Sequence, residues 1–567
     1  MAKIPCKELL ILLSLALGYD AVVGRLASLG PTVSLILYLA LFGLLAAALL
    51  LAAYVRSPIL RGAYAIILAA AALYTESFQH ITGEHLSYDA YINLWNSSEF
   101  AGDAARQHAA TIGRAVLGPL ALLAGIAIRP RRTPPLPRLA AAAPLAAVAL
   151  LTALLFLRGG DGAKGLPSAF APLAYAGIYT YEAATGAAGP RHAASLHRRA
   201  AAVGRDIVLI VDESVGGNYL DLNSVNGVRS GLAEPRPGFA IHNYGYAAAI
   251  TNCSVGTNVT LRHGGTREDY QRINATMPAI WDYAHRAGLR TVYIDGQRTG
   301  GTLHNMMTPE ERTAIDRFIQ FDDVPVRDRD MAAADTLAAL LNDATADFII
   351  VNKVGAHFPV ADKFPDAFMR YRPALPRGGQ EDVSDTGDRD GFGGGGADWL
   401  RYRNSYRNAL LWNVGAFFDR LLAQTDLAHA TIIYTSDHGQ DLHERGDPGL
   451  NTHCGSEPTV EEGLVPLVVI EGRRASLDWR RTLAANRNRV SHYNIFPTLL
   501  TLMGYDDPRL PRLYGDTLLA PSRDPFTFNA RFNARLGMKP EWQFIDLEKI
   551  VTPPPEHPYA RANPRRG

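Results

Sequence analysis

Cysteine is scarce in this chain, which has 567 residues and three cysteines. That number excludes a disulfide framework and leaves at most one intrachain bridge in the globular half, between Cys253 and Cys454. Two free buried thiols are the alternative. An excess of one charge sign is also missing, because 56 Lys and Arg face 55 Asp and Glu and leave a formal net charge of +1. Without a general basic field, no nucleic-acid partner is expected.

Long apolar runs are missing after residue 157 but dominate the chain before it. The first 157 residues are rich in Ala and Leu, whereas the remainder has the mixed composition of a globular protein. Hydrophobic residues make up 48% and charged residues 20% of the chain, which excludes a disordered protein. We therefore predict a transmembrane domain at 1–157, a partly helical connector along the membrane surface at 158–205, and a globular domain at 206–567.

Five apolar stretches in the first part have lengths close to the roughly 20 residues that cross a bilayer. They lack the polar face of helices in a soluble bundle, so we predict membrane spans. The first stretch carries Asp20 and is followed by further spans, which argues against a cleavable signal peptide. The predicted spans are Leu9–Leu26, Val33–Tyr54, Ile59–Tyr74, Ile112–Ile128 and Leu139–Leu157.

The positive residues around these spans predict their orientation. Three clusters fall on one side, which should be the cytoplasmic side. Five spans with the N-terminus inside then place the globular half in the periplasm of a bacterium, with the spans in the inner membrane. The opposite side carries the loop Thr75–Ala110, rich in acidic and aromatic residues. The clusters are Lys3 and Lys7, then Arg56 and Arg61, then Arg129, Arg131, Arg132 and Arg138.

From Asp206 onward, short β-branched runs alternate with helical patterns such as Ile280–Ala287 and Tyr402–Leu422. This alternation predicts an α/β fold with a mainly parallel sheet between helices. The polar, Gly-rich stretch Gly378–Gly396 predicts a surface loop or a mobile insertion. The predicted strands are Ile207–Val211, Thr291–Ile294, Phe348–Val351, Thr431–Tyr434 and Val465–Ile470.

Carboxylates and imidazoles follow several of these strands at the points where they end. Ligands of open parallel sheets lie at the carboxyl ends of the strands, so these side chains are expected to converge. This mixture of ligands suits Zn²⁺ or Mn²⁺. Taken singly, each residue could equally be a helix cap or a solvated side chain. The residues are Glu213, His357, Asp437, His438 and His453.

A candidate nucleophile lies in the segment 249–261, between the first two predicted strands. The Gly256-Thr257 step predicts a helix start, where free N–H groups would stabilise an alkoxide and bind a phosphate. Thr257 is therefore the candidate, and a divalent ion would lower the pKa of its hydroxyl. Ser254 and Thr260 are the competing hydroxyls, and plain N-capping by Ser254 or Thr257 is the structural alternative.

These features together resemble the bacterial phosphoethanolamine transferases, membrane-anchored enzymes with an alkaline phosphatase/sulfatase-like fold. The resemblance covers nearly the whole chain, from five N-terminal spans to a periplasmic domain. Ser436–Gly439, which reads Ser-Asp-His-Gly, is its most specific motif. The other matching motifs are Ile207–Glu213, Thr257 with Cys253 and Thr260, Gly355–Pro359, His453 and Tyr493–Leu500.

The resemblance implies a reaction and a role for each site residue. Phosphoethanolamine would pass from phosphatidylethanolamine to an envelope lipid or glycan, such as lipid A or the lipopolysaccharide core. The reaction would run through phospho-Thr257, with Zn²⁺, or alternatively Mn²⁺, bound by Thr257 and three further ligands. Two histidines would hold phosphoryl oxygens, a second metal or the leaving group. The further ligands are Glu213, Asp437 and His438, and the two histidines are His357 and His453.

The chain also departs from that family. Typical members have a disulfide that brackets the nucleophile helix, but the position ten residues after Cys253 is His263. Arg262 replaces the usual Pro of this segment. These departures leave the acceptor open.

Three rival functions can be compared with this one, and the first, an arylsulfatase, is disfavoured by its motif. An arylsulfatase would need a Cys or Ser in a C/S-x-P-x-R motif, and Cys253–Thr257 has neither the Pro nor the Arg. A phosphoglycerol transferase or phosphodiesterase would use the same hydroxyl and metal. A degenerate, non-enzymatic membrane protein that binds lipid or regulates envelope synthesis is the third, and the intact set of polar site residues argues against it.

Overall fold

The computed structural model describes residues 6–555 apart from 131–137, 186–189, 200, 202, 380–382, 387, 389–391, 447–448, 456, 473–477 and 534–537. The chain divides into two compact units. We call them the helical unit and the sheet unit and describe each separately. The helical unit comprises Met1–Ala187, Glu381–Phe392 and Asn533–Lys539, and the sheet unit comprises Ala188–Gln380, Gly393–Phe532 and Pro540–Gly567.

Ten α-helices are found in the described part of the helical unit. They bury Ala, Leu and Tyr side chains against one another, while many other Leu, Ile and Val side chains are exposed on the outer faces of the helices. The helices are α1 (Cys6–Leu17), α2 (Tyr19–Leu29), α3 (Val33–Ala53), α4 (Pro58–Thr82), α5 (Tyr88–Asn96), α6 (Ala101–Gln107), α7 (Ala109–Ala115), α8 (Leu117–Ala127), α9 (Ala143–Leu157) and α10 (Ala171–Thr185).

The predicted spans correspond to these helices. Three helical segments are long and apolar enough to cross a membrane, and the number rises to five if the bent pairs α1–α2 and α7–α8 each form one span. The pairs bend by 59° and 41°. Among the residues predicted to be cytoplasmic, Lys3, Arg131 and Arg132 lie outside the described residues.

The predicted loop Thr75–Ala110 is mostly helical. Helix α4 continues to Thr82 and ends at Gly83, whose φ of 75° forms a left-handed cap that glycine adopts without steric strain. Helices α5 and α6 follow. The stretch was predicted as a loop because its polar residues end the apolar pattern, although polar residues can continue a helix.

The sheet unit is built on an eight-stranded sheet with the order β4-β3-β5-β1-β6-β7-β2-β8, as seen in the described residues. Its neighbours pair in parallel except β7, which is antiparallel to both β6 and β2. A small antiparallel pair, β9–β10, accompanies it. The strands are β1 (Asp206–Asp212), β2 (Phe239–Ala248), β3 (Arg290–Asp295), β4 (Arg317–Gln320), β5 (Asp347–Asn352), β6 (Ala430–Ser436), β7 (Leu464–Gly472), β8 (Val490–Ser491), β9 (Thr527–Asn529) and β10 (Trp542–Phe544).

The five predicted strands are β1, β3, β5, β6 and β7, and the mainly parallel α/β fold is confirmed. These strands were readable because they are apolar and almost wholly buried. Strand β2 was missed, since His242, Asn243, Tyr244 and Tyr246 interrupt its apolar pattern. The antiparallel direction of β7 was also not foreseen, because periodicity does not encode strand direction.

Helices pack around this sheet. Helix α11 follows β2, and the long helix predicted at Tyr402–Leu422 is observed as α16 and α17 joined by a π-helical turn, Leu411–Ala416. The helices are α11 (Ser254–His263), α12 (Tyr270–Thr276), α13 (Ile280–Arg286), α14 (Pro309–Thr313), α15 (Arg329–Leu341), α16 (Gly396–Leu410), α17 (Phe417–Gln424), α18 (Arg480–Asn486), α19 (Ile495–Leu502) and α20 (Leu510–Tyr514).

Candidate metal centre and nucleophile

Three of the predicted ligands meet where the central strands β1 and β6 end. Glu213, Asp437 and His438 each offer a ligand atom, and these atoms lie within 4.8 Å of one another. All three side chains are buried. The parallel register of β1 and β6, which places Asp212 opposite Ser436, brings the two strand ends level. The sequence prediction that these residues converge at one sheet edge agrees with this geometry.

Backbone contacts hold the group in place. The Asp437 N–H donates to the Asp212 carbonyl at 2.8 Å, and the Ser214 N–H donates to Asp437 Oδ1 at 2.9 Å. His438 Nδ1 donates to the Gly439 carbonyl at 2.7 Å. That bond fixes the ring and turns Nε2 towards Glu213 Oε1, which lies 3.4 Å away. Fixing one imidazole nitrogen on a carbonyl is how proteins orient a histidine metal ligand.

The electrostatics of the group fit a cation. Burial, together with the adjacent Glu213 carboxylate, raises the pKa of Asp437 well above its usual range. Although burial opposes it, the carboxylates of Asp437 and Glu213 raise the pKa of His438 to about 9. Within the described residues, Asp437 Oδ2 is buried without a hydrogen-bond partner. Two carboxylates and one imidazole with an uncompensated oxygen suit a divalent metal with an open coordination position.

Of the three candidate hydroxyls Ser254, Thr257 and Thr260, the structure brings Ser254 to this group. Its Oγ donates to Glu213 Oε1 at 2.8 Å and lies 3.2 Å from His438 Nε2. Ser254 is half-buried. Thr257 is not brought to the ligands: its side chain is fully buried, and its Oγ1 lies 3.5 Å from the Thr251 carbonyl. Thr260 Oγ1 instead donates to Asn274 Oδ1 at 3.1 Å.

Thr257 is kept away from the ligands because helix α11 begins earlier than the Gly256-Thr257 step at which the sequence predicted its start. That prediction of the helix start was wrong. Helix α11 begins at Ser254, three residues before Thr257, and the extended Cys253 is its N-cap residue. Ser254 therefore occupies the first helical position, where backbone N–H groups are free, and Thr257 lies at the end of the first turn. Cysteine is not among the residues that favour N-caps, so the sequence carried no local signal for this start.

Cys253 is held by a residue from a distant part of the chain. Cys253 and Cys454 form a disulfide with a Cα–Cα distance of 5.1 Å. Of the two alternatives that the sequence left open, the structure therefore has the disulfide and not two free thiols. The Cys454 N–H also donates to the Asn252 carbonyl at 3.1 Å. The loop that carries His453 is thus joined to the start of α11.

The two remaining predicted histidines lie next to the ligand group. The His453 ring stacks on the His438 ring with a centroid distance of 4.5 Å. The centroid of the Phe358 ring lies 4.2 Å from that of His357 and 6.5 Å from that of His453. Loss of solvent and the neighbouring His438 lower the pKa of His453 to about 3, and loss of solvent also lowers the pKa of His357. Both shifts favour the neutral form of the ring.

Sequence reasoning did not name Gln297, a further residue that contacts one of the predicted ligands. Gln297 Nε2 donates to Glu213 Oε2 at 3.1 Å and to the Lys353 carbonyl at 2.9 Å. Gln297 follows β3, and its neighbour Asn352 ends β5, so both lie at the same edge of the sheet. The rule that placed the metal ligands at strand ends would have found Gln297 if it had been applied to the strand predicted at Thr291–Ile294.

Fold and site together define an α/β domain with a candidate metal centre at the carboxyl edge of its sheet. The family model described as Sulfatase matches residues 205–505, more than half of the chain. The chain therefore belongs to the sulfatase family. This confirms the predicted alkaline phosphatase/sulfatase-like fold. No curated protein matches the chain by sequence.

Solved structures extend the likeness to the N-terminal part. The integral membrane protein lipooligosaccharide phosphoethanolamine transferase A from Neisseria meningitidis has a TM-score of 0.55 and 18% identity, covering 78% of this chain and 84% of its own. The C-terminal periplasmic domain of EcEptC from Escherichia coli, a complex with Zn, has a TM-score of 0.46 and 17% identity, covering 60% of this chain and 92% of its own. The first likeness shows a shared fold.

Proposed function

We propose that this protein is a membrane transferase that moves phosphoethanolamine from phosphatidylethanolamine to an envelope lipid or glycan, with Ser254 as its nucleophile. The observation that carries the proposal is the contact of Ser254 Oγ with both Glu213 and His438 at the start of α11. A hydroxyl in that position meets metal ligands on one side and free backbone N–H groups on the other. This is the arrangement of an activated nucleophile in phosphoryl transfer.

The metal would be held by Glu213, Asp437 and His438, with Zn²⁺ the ion that this ligand set fits best. When bound, it would lower the pKa of the hydroxyl and withdraw charge from the phosphoryl group. The N-terminal N–H groups of α11 would bind phosphoryl oxygens. His357 and His453, neutral and adjacent, would hold a phosphoryl oxygen or the leaving group.

The reaction would have two displacements. In the first, a bond forms between Ser254 Oγ and the phosphorus of phosphatidylethanolamine, and the bond from phosphorus to the diacylglycerol oxygen breaks. Ser254 loses one proton, and the diacylglycerol oxygen takes up one. In the second, an acceptor oxygen forms the bond to phosphorus and loses its proton, while the Ser254 Oγ–phosphorus bond breaks and Ser254 Oγ takes up one proton, which restores the hydroxyl. The phosphoserine takes the place of the phosphothreonine that the sequence favoured.

A lipid donor accounts for the helical unit. A diacylglycerol phosphodiester stays in the bilayer, so an enzyme that uses it needs a membrane anchor. The helices that can cross a membrane supply that anchor, and the predicted orientation would place the sheet unit in the periplasm. The Neisseria meningitidis protein that shares this fold is a lipooligosaccharide phosphoethanolamine transferase, which supports the donor group and a glycolipid acceptor.

A trapping experiment tests the proposal. The full-length protein in detergent is incubated with phosphatidylethanolamine and no acceptor, digested, and analysed by peptide mass spectrometry. We expect a phosphoethanolamine adduct on Ser254. Fragmentation within the peptide separates Ser254 from Thr257 and Thr260.

The outcomes separate the alternatives. An adduct on Thr257 would restore the nucleophile that the sequence favoured and refute Ser254. A phosphoglycerol adduct formed from phosphatidylglycerol alone would retain Ser254 and assign the protein to the rival donor class. No adduct from either lipid, in protein whose metal content is confirmed, would contradict the proposed transferase.

A further inference from the structure

A fully buried lysine lies directly behind the metal centre. Lys353 follows β5, and its side chain is inaccessible to solvent. Its Nζ lies 2.7 Å from Asp212 Oδ1 and 3.8 Å from Asp330 Oδ2, and both carboxylates are also inaccessible. The ammonium group also lies 4.0 Å from the centroid of the Phe417 ring. Burying an ammonium group costs desolvation free energy, which its interactions with the two carboxylates offset only when the geometry is good. The cluster therefore favours one arrangement of these side chains.

One arm of this cluster leads to Glu213. Asp212 immediately precedes Glu213, and its Oδ2 accepts from the Tyr434 hydroxyl at 2.9 Å. The Lys353 N–H donates to the Val211 carbonyl at 2.9 Å. Both the side chain and the backbone of Lys353 therefore fix the end of β1, from which Glu213 projects.

The other arm leads to the loop of His357. Asp330 accepts from the Val354 N–H at 2.8 Å and from the Gly355 N–H at 3.0 Å. Gly355 has a φ of 55°, and a side chain there would lie 2.5 Å from the Glu213 carbonyl. The loop therefore packs directly on the backbone of Glu213, and the Ala356 N–H donates to the Glu213 carbonyl at 2.9 Å.

The π-helical turn closes the cluster. Asn413 lies in this turn, its carbonyl accepts from Lys353 Nζ, and its Nδ2 donates to the Gly355 carbonyl at 2.6 Å. A π-helical turn inserts an extra residue into a helix and is frequent at functional sites. Here it directs the Asn413 backbone and side chain to the lysine and the loop together.

We propose that Lys353, Asp330 and Asn413 are positioning residues that set Glu213 and the His357 loop at one geometry for the metal. They touch neither the metal ligand atoms nor the phosphoryl group and act through Asp212 and Gly355. This inference rests on the metal centre of the proposed function but not on its donor or acceptor. Outer contacts of this kind typically change metal affinity by about 10- to 100-fold when removed.

The test is metal binding by full-length Asp330→Asn in detergent. Asparagine retains the size of aspartate but offers one acceptor oxygen where two backbone N–H groups need one each. We expect about a 10- to 100-fold weaker Zn²⁺ affinity by competition with a chromophoric chelator. We also expect a shifted visible spectrum of the Co²⁺-loaded protein, which reports ligand geometry. If this variant does not fold, Asn413→Ala is measured instead, because it removes the bond to Gly355 and retains the backbone carbonyl that faces Lys353.

Asp347→Asn is the matched control. Asp347 begins the same strand, β5, and is buried, and its carboxylate pairs with Arg290 at 2.6 Å. The Asp347→Asn substitution should lower the midpoint of thermal unfolding and leave the Zn²⁺ affinity and the Co²⁺ spectrum unchanged. Wild-type affinity and spectrum in a folded Asp330→Asn or Asn413→Ala protein would overturn the proposal. Equal losses in Asp347→Asn would also overturn it, since they would indicate general destabilisation. A wild-type protein that binds neither ion would refute the metal centre itself.

Discussion

The two ends of helix α11 are held by different kinds of interaction. At its start, Cys253 is covalently joined to Cys454, 201 residues further along the chain. At its end, Arg262 Nε donates to Glu311 Oε1 at 2.7 Å, with side chains only 3% and 4% exposed. In the phosphoethanolamine transferases that the sequence resembles, one disulfide brackets the corresponding helix. In this chain, each end of α11 has its own partner. The start is joined to the His453 loop, and the end is joined to α14.

The difference follows from what each end must do. The start carries Ser254, which contacts Glu213 and His438, and the disulfide joins it to the loop that carries His453. In the proposed reaction, the end of the helix supplies no reacting group and needs only an anchor. Glu311 also accepts from Trp281 Nε1 at 3.0 Å, and Arg262 Nη2 donates to the Asn305 carbonyl at 2.8 Å. A buried ion pair that is hydrogen-bonded in this way can replace a covalent bond as an anchor, although it makes each partner essential to the other.

Removing the hydroxyl at the start should have the largest effect. Ser254→Ala deletes the atom that contacts Glu213 and His438, and we expect kcat to fall by about a thousandfold or more, as for loss of a nucleophile. Thr257→Val is the matched variant, because it retains the branched shape of a buried side chain. It removes the 3.5 Å contact of Thr257 Oγ1 with the Thr251 carbonyl and should retain kcat within about tenfold. Equal losses in the two variants, measured on protein with full metal content, would contradict the assignment of Ser254.

Breaking the ion pair at the end should mainly cost stability. Arg262→Met leaves Glu311 buried without its cation, which typically costs about 3–5 kcal/mol. We expect the double variant Arg262→Met with Glu311→Gln to recover part of this loss in denaturant unfolding of the sheet unit within the full-length protein. The control is Arg272→Met, which removes an exposed pair with Asp269 and should cost less than about 1 kcal/mol. A loss from Arg262→Met no larger than that of the control would argue against the anchor.

Removing the covalent bond should cost somewhat less. Cys454→Ala should lower the free energy of unfolding by about 2–4 kcal/mol, because the closed loop no longer restricts the unfolded chain. Cys253→Ala and the double variant should give the same value, since all three lose one bond. Cys6→Ala serves as the control, as Cys6 takes part in no disulfide within the described chain. Additive losses from the two single variants would show that the thiols contribute separately.

Helix α11 and the ligand group show which parts of the site could be predicted from the sequence and which could not. Glu213, Asp437 and His438 were predictable because they directly follow apolar strands, and strand pairing brings their ends together. The start of α11 at Ser254 was not predictable, because it depends on Cys253 and its tertiary partner and not on a capping residue. The role of Arg262 was equally hidden, since its partner Glu311 is 49 residues away. Local patterns predicted the sheet edge, but pairings between distant residues determined which hydroxyl reaches it.

The smallest expected effect is a pH dependence at the end of α11. Burial alone would raise the pKa of Glu311, but Arg262 and then His263 hold the pKa of this carboxyl well below its usual range. A carboxyl whose folded pKa is lowered stabilises the protein above its unfolded pKa, near about 4.3, and this contribution is lost as the pH falls further. The free energy of unfolding should therefore decrease more steeply below pH 5 in the wild type than in Glu311→Gln. The difference should be about 1.4 kcal/mol for every tenfold ratio between the acid dissociation constants of the folded and unfolded states. Other carboxyls titrate in both proteins, so the difference between the two curves reports Glu311. Parallel curves would show that the ion pair contributes no pH-dependent stability, and the end of α11 would then be anchored by packing and by hydrogen bonds such as that from Arg262 to the Asn305 carbonyl.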